Sequence, residues 1–195
     1  MPDIILASAS PRRREILDLM GVTYTVIPAK TELPMDRTLP IERAVLQVAR
    51  AKAEEVAAPY PRTVVIGADT VVVVDDTILG KPKNVDDAKA MLRQLSNREH
   101  RVVTAVWICN GEQSEGFVDS AAVTFMPITE DEIVEYVASG EPMDKAGAYA
   151  IQGRGMRYVR GIKGDFYTVM GLPSARLYDV LKKHMMNCQT KCNTF

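Results

Sequence analysis

Apolar positions along the chain switch between a period near two and a period near 3.6, and the switches divide it into alternating strands and helices. Ile4-Ile5-Leu6 is a continuous apolar run of the kind a buried strand carries, and it leads into LASASPRRREIL. There Ser10 is a suitable helix N-cap and Pro11 suits the first helical position, while Ile16, Leu17 and Met20 form a short apolar face closed by Gly21. Thr23 to Ala29 reads as a second strand. Ile41, Val45, Val48 and Val56 recur on one face, which predicts a long helix from Pro40 to about Ala58. The stretch RTVVIGADTVVVVDDTIL predicts two buried strands broken at Gly67-Ala68-Asp69, with a turn at Asp75-Asp76. Asn84 caps a helix through Leu95, with Asp86 and Asp87 at the favourable end of its dipole.

In the second half, HRVVTAVWIC and EGFVDSAAVTFMP alternate as long strands, antiparallel neighbours across Asn110-Gly111. Thr129 to Glu132 is a capping box for a helix that stops at Gly140. EPMDKAGAYAIQGRG predicts a loop, YVRGIKGDFYTVMGLP strand and turn, and Pro173 the start of a last helix ending near His184. Residues 185–195 read as a frayed tail. This order of elements predicts an α/β architecture in a single domain over residues 1–195.

Composition and charge narrow the function. With 47% hydrophobic and 25% charged residues, the chain has the makings of an ordinary soluble domain with a sizeable core. A formal net charge of −1 excludes a global basic field for holding nucleic acid, so any anion site must be a local cluster. Cys109, Cys188 and Cys192 form no paired framework and suit a reducing compartment. No signal peptide pattern is present, and no apolar run reaches the roughly 18 residues of a membrane span. The expectation is a cytoplasmic protein that engages neither membrane nor nucleic acid.

Three segments break local rules. Arg12, Arg13 and Arg14 occupy the first turn of a helix, against the positive end of its dipole, where each cation costs about 0.3–1 kcal/mol. An anion at that helix end resolves the conflict, because free N–H groups, the Ser8 and Ser10 hydroxyls and guanidinium forks then converge on phosphate oxygens. On this reading, removing Arg13 relieves repulsion and leaves the fold intact. Lys52 falls on the apolar stripe of the long helix, either as a snorkelling side chain or as one directed at a phosphate. Asp69 follows VVIGA, where a carboxylate is either a turn device or an active-site group at a strand end. Gly80-Lys81-Pro82 is not a Walker A loop, and Gly153-Arg154-Gly155 is not a dinucleotide fingerprint. With only His100 and His184 and no G-x-S-x-G, a Ser-His-Asp hydrolase is excluded, and the His184, Cys188, Cys192 spacing is a chance pattern rather than a zinc site.

LASASPRRREIL, GADT at Gly67 to Thr70, LGKP at Leu79 to Pro82 and DKAGAYAIQG at Asp144 to Gly153 together resemble the Maf family of nucleotide pyrophosphatases, in order and spacing. The resemblance implies a curved mixed β-sheet with flanking helices and two lobes around a central cleft, similar to the inosine triphosphatases. It implies hydrolysis of a nucleoside triphosphate to the monophosphate and pyrophosphate, assisted by a divalent cation, Mg2+ or Mn2+. It assigns Asp69 as the proton acceptor, and Ser8, Arg12, Arg13, Lys52 and Lys81 as the groups around the phosphates. Glu32 matches an acidic position suited to holding the metal, and Asp69 could share that role. Arg12, Thr70 and Gln152 match the positions that separate specificity classes, in the combination of the dTTP/UTP class, and a homodimer is expected from the family alone. Chemistry agrees: a triphosphate needs a hard cation and several Lys or Arg, and the Gln152 amide complements the O4 acceptor and N3–H donor of uracil or thymine, though a flipped amide suits cytosine equally. Two other functions fit parts of this pattern: an m7GTP-type pyrophosphatase of the sister subfamily, and a non-catalytic nucleotide-binding regulator of cell division.

Overall fold

A computed structural model describes residues 4–31, 33–110 and 113–192, with side chains to His184. The elements, in chain order, are β1 (Ile4–Leu6), α1 (Pro11–Leu19), β2 (Thr25–Val26), α2 (Ile41–Ala57), β3 (Val64–Val74), β4 (Thr77–Leu79), α3 (Val85–Leu95), β5 (Glu99–Cys109), β6 (Ser114–Phe125), α4 (Glu130–Ala138), β7 (Val159–Lys163), α5 (Phe166–Met170) and α6 (Ser174–Cys192). Three short 3-10 turns, at Glu141–Asp144, Ala146–Ala148 and Arg154–Tyr158, lie between α4 and β7. The described strands form one mixed seven-stranded sheet in the order β2-β1-β3-β5-β6-β7, with β4 pairing to β3. The α/β class follows directly from this order.

The chain divides into two compact units, one of Met1–Asp69, Thr104–Asp119 and Gly171–Phe195, the other of Thr70–Val103 and Ser120–Met170. In the first unit β1 runs parallel to both β2 and β3, with Ile5 opposite Thr25 and Val65. Parallel neighbours need crossover connections, and α1 and α2 supply them. Ile5, Ala7, Ala53, Val56, Val65 and Cys109 form an apolar cluster where α2 covers the strands. α2 spans nearly the segment that its stripe of Val45, Val48 and Val56 predicts, and all three are buried.

The second unit opens with the end of β3, which turns through Asp75 (φ 47°) and Asp76 (φ 60°) into antiparallel β4. Two left-handed residues in a row are the mark of a tight hairpin, for which Asp is among the better side chains. β6 and β7 pair antiparallel. A cluster of edge-to-face rings, His100, Phe125 and Tyr149, lies in this unit with Tyr136 and Tyr158 beside it. Caps set the helices as expected: Asn84 Oδ1 accepts from the Asp87 N–H at 2.9 Å, and Thr129 and Glu132 form a full capping box.

The structure departs from the sequence expectations at four places. β3 is one unbroken strand through Gly67-Ala68-Asp69, so Asp69 stands in mid-strand and no turn precedes it. Gly67 is there for close approach: a Cβ on it would lie 2.4 Å from the Ala49 carbonyl oxygen and 2.7 Å from the Ala53 nitrogen of α2. The second strand shrinks to Thr25–Val26, and Phe166–Met170, expected as turn, is a short helix. α6 continues past His184 to Cys192, a stretch without Gly or Pro to stop it.

Candidate active site

β1 ends in Ala7, and residues 7–10 lead directly into α1. Ser8 is buried, and its Oγ accepts hydrogen bonds from Arg13 Nη1 at 2.9 Å and from the Ser10 N–H at 3.3 Å. Arg13 Nε donates to the Gly171 carbonyl at 2.9 Å. Only 9% of Arg13 is exposed; burial pushes its guanidinium down to about 10, against the pull of the Asp69 carboxylate, which raises it, with Arg12 lowering it further. Arg13 therefore stays charged at neutral pH, inside the first unit and within the field of Asp69. Ser10 is the N-cap of α1, but its side chain makes no cap hydrogen bond and no acidic residue occupies the first turn.

The three arginines do not act as one cluster. Arg13 turns inward and Arg12 is half-buried. Arg14 is exposed and lines a surface groove of about 550 Å³ with Glu15, Asp18 and Tyr24. Its neighbourhood is acidic, and its charge is not part of the Ser8–Arg13 arrangement. Removing Arg13 would take a donor from the Gly171 carbonyl and leave Ser8 Oγ with the Ser10 N–H, so the burial and bonding of Arg13 count against the expectation that this side chain is dispensable to the fold.

The close seat of Gly67 against α2 also places Lys52 beside β3. Lys52 Nζ lies 2.6 Å from Asp69 Oδ1, and the two side chains are 22% and 18% exposed. Lys52 is thus neither a loose snorkelling chain nor free: its ammonium is spent on a half-buried carboxylate. This pair is accessible enough for a ligand to reach and sheltered enough for the charges to matter.

In the second unit, Thr70 follows Asp69 along β3 and is half-buried, while Lys81 is exposed just beyond β4. Gln152 is half-buried, and its Oε1 is buried with no hydrogen-bond partner among the described residues. A buried amide oxygen left unpaired is costly, which marks it as an acceptor in want of a donor. Glu32 lies outside the described residues. Among the described residues no three His, Cys, Asp or Glu side chains gather as a metal-binding group. Asp69 offers a hard carboxylate oxygen beside the Lys52 ammonium, and a cation there would take its remaining ligands from phosphate oxygens and water.

Residues 3–184 match the family described as Maf-like protein. The chain belongs to the Maf family. It is 49% identical over 180 residues to the dTTP/UTP pyrophosphatase of Bacillus velezensis, covering 92% of this chain and 95% of that one. It is 46% identical over 183 residues to the dTTP/UTP pyrophosphatase of a Geobacillus species, covering 94% of this chain and 98% of that one. Among solved structures, a nucleoside-triphosphatase / dITP/XTP pyrophosphatase from Mycobacterium abscessus aligns over 99% of this chain and 100% of its own, at a TM-score of 0.46 and 14% identity, too slight a likeness to build on.

Both histidines of this Maf chain are buried. His100 Nε2 lies 2.9 Å from the Tyr149 hydroxyl inside the ring cluster, and burial pushes the imidazole down to about 4. His184 Nδ1 lies 3.3 Å from the Asn110 amide nitrogen, and the side chains of Cys188 and Cys192 lie outside the described residues. Among the described residues no helix is long and apolar enough to cross a membrane. Sequence reasoning missed the Gly171 carbonyl as the anchor of Arg13; a main-chain acceptor 158 residues away leaves no local signal.

Proposed function

We propose that this Maf-family chain is a nucleoside triphosphate pyrophosphatase that hydrolyses dTTP and UTP to the monophosphate and pyrophosphate. The observation that carries the reading is the half-buried Lys52–Asp69 pair, whose carboxylate acts on the buried Arg13 charge near a helix end whose N-cap side chain makes no cap hydrogen bond. The names of relatives at 49% and 46% identity support the substrate class.

In this mechanism Ser8, Ser10, Arg12 and Arg13, gathered at the N-terminus of α1, bind phosphate oxygens. Arg13 is preorganised by Ser8 and Gly171, so little reorganisation is needed as charge develops on the leaving pyrophosphate. Asp69 accepts the proton of the attacking water as its oxygen bonds to the α-phosphorus and the P–O bond to pyrophosphate breaks. Lys52 fixes the orientation of Asp69 through Oδ1 and offsets the repulsion between that carboxylate and a tetra-anionic substrate. Asp69 and Glu32 are the residues that would hold a divalent cation, Mg2+ or Mn2+, which when bound neutralises phosphate charge and helps the leaving group depart. Lys81 contributes a further phosphate contact. Gln152 accepts the N3–H of uracil or thymine at Oε1, satisfying the oxygen that is otherwise unpaired, and donates its amide N–H to O4. By resemblance to the family, Thr70 and Arg12 are also assigned to positions that separate base specificities.

The test is a panel of nucleoside triphosphates with pyrophosphate detection, run with Mg2+ and with Mn2+. Release of pyrophosphate from dTTP and UTP well above that from CTP and the purine nucleotides is the expected result. Orthophosphate as the product, or preference for a methylated guanine nucleotide, would replace the reading.

A further inference from the structure

The Gly153-Arg154-Gly155 segment, which fits no nucleotide fingerprint, has a different use in this structure. A Cβ at Gly153 would lie 2.4 Å from Glu141 Oε2, and a Cβ at Gly155 would lie 2.7 Å from the Tyr136 hydroxyl oxygen. Both glycines therefore keep backbone close to two polar side chains. Glu141 Oε2 accepts the Arg154 N–H at 3.0 Å, and Oε1 accepts the Gly155 N–H at 3.2 Å and the Tyr136 hydroxyl at 2.7 Å. The same Tyr136 oxygen accepts the Ala150 N–H at 3.1 Å. The backbone is thus pinned on both sides of Gln152, at residue 150 by Tyr136 and at 154–155 by Glu141. Tyr136 is fully buried on α4, and Glu141 follows directly after Gly140, whose φ of 77° turns the chain out of the helix.

We propose that Glu141, with Tyr136, is the positioning residue for Gln152, holding the amide whose buried Oε1 takes up the pyrimidine N3–H. The proposal rests on the base-reading role given to Gln152 above. A carboxylate is required at residue 141 because it accepts three hydrogen bonds on two oxygens. A glutamine there would turn an N–H2 group against one of the backbone N–H donors. The brace has no reacting atom of its own; it acts by fixing the segment that carries the amide.

The experiment is a double-mutant cycle on kcat/KM for UTP and CTP with Glu141→Gln, Gln152→Met and the pair. Glu141→Gln is expected to lower kcat/KM for UTP by about tenfold or more while CTP changes little, and to add no further loss in the Gln152→Met background. Tyr136→Phe, which keeps the buried ring and removes only the hydroxyl, is expected to move UTP in the same direction by less, and it keeps the test open if Glu141→Gln folds poorly. Equal losses with and without Gln152, or parallel losses for UTP and CTP, would overturn the positioning role and leave Glu141 as a support of the fold. If Gln152→Met alone leaves the ratio of UTP to CTP unchanged, the base reading fails and the proposal falls with it, a result distinct from additivity in the cycle.

Discussion

α1 and α4 are both nine residues long, and their N-termini are opposites. At α4, Thr129 Oγ1 accepts the Glu132 N–H, Glu132 returns a bond to the Thr129 N–H at 2.8 Å, and Glu130, Asp131 and Glu132 set negative charge against the dipole. At α1, Ser10 makes no cap bond, the first turn holds no acid, and three arginines stand where acids belong. A helix end that serves only the fold satisfies its own N–H groups. One with no side-chain cap bond from its N-cap residue, no acid and three cations in its first turn is the end to which the proposed function assigns the phosphates. The contrast also separates the arginines by burial, since Arg13 is drawn inside and bonds the Gly171 carbonyl while Arg14 is exposed.

Arg13→Met gives the largest expected effect. It keeps much of the volume but removes two charge-assisted bonds, each worth about 1.5–3 kcal/mol, while relieving a desolvation cost of about 3 kcal/mol for a guanidinium lowered from 12.5 to about 10. The net runs from near zero to a loss of about 3 kcal/mol in unfolding free energy, with UTP turnover down about 10²-fold or more if a preorganised donor is lost. A rise in thermal stability would restore the view of α1 as a simple conflict of charge and dipole. Thr129→Ala comes next, with a loss of about 1 kcal/mol by denaturant titration and turnover within twofold of the parent. Ser10→Ala is the smallest for stability, within about 0.5 kcal/mol, because no cap bond exists to lose. If Ser10→Ala costs as much as Thr129→Ala, the two helix ends are not different in kind.

Local rules made the helix starts legible. Ser10-Pro11, Asn84 and Thr129 each mark the observed boundary, and the Asp75-Asp76 turn is where two consecutive aspartates suggest it. Within the site, Lys52 and Asp69 announced themselves by breaking an apolar stripe and an apolar run, and the structure pairs them. What failed was read from residues whose reasons are tertiary. Gly67 looked like a strand break because a glycine's local signal is the same whether it turns the chain or admits the backbone of α2. α5 is five residues long, too short for any periodicity, although Asp165 accepting the Tyr167 and Thr168 N–H groups is a cap signal that could have been found. The inward turn of Arg13 and the brace of Glu141 depend on main-chain partners that no motif encodes.

Turnover of UTP by Asp69→Asn tests the account most directly. Asn keeps the size and one acceptor oxygen but removes the charge that pairs with Lys52 and the basicity needed to take a proton from water. Pyrophosphate release should fall by at least about 10²–10⁴-fold. Nucleotide affinity should persist or tighten as a negative charge leaves, and a weakened dependence on added Mg2+ would assign Asp69 a share in holding the cation. A variant that folds normally and hydrolyses UTP within a few-fold of the parent would contradict the account and move the catalytic role to another carboxylate, with Glu32 the first to examine.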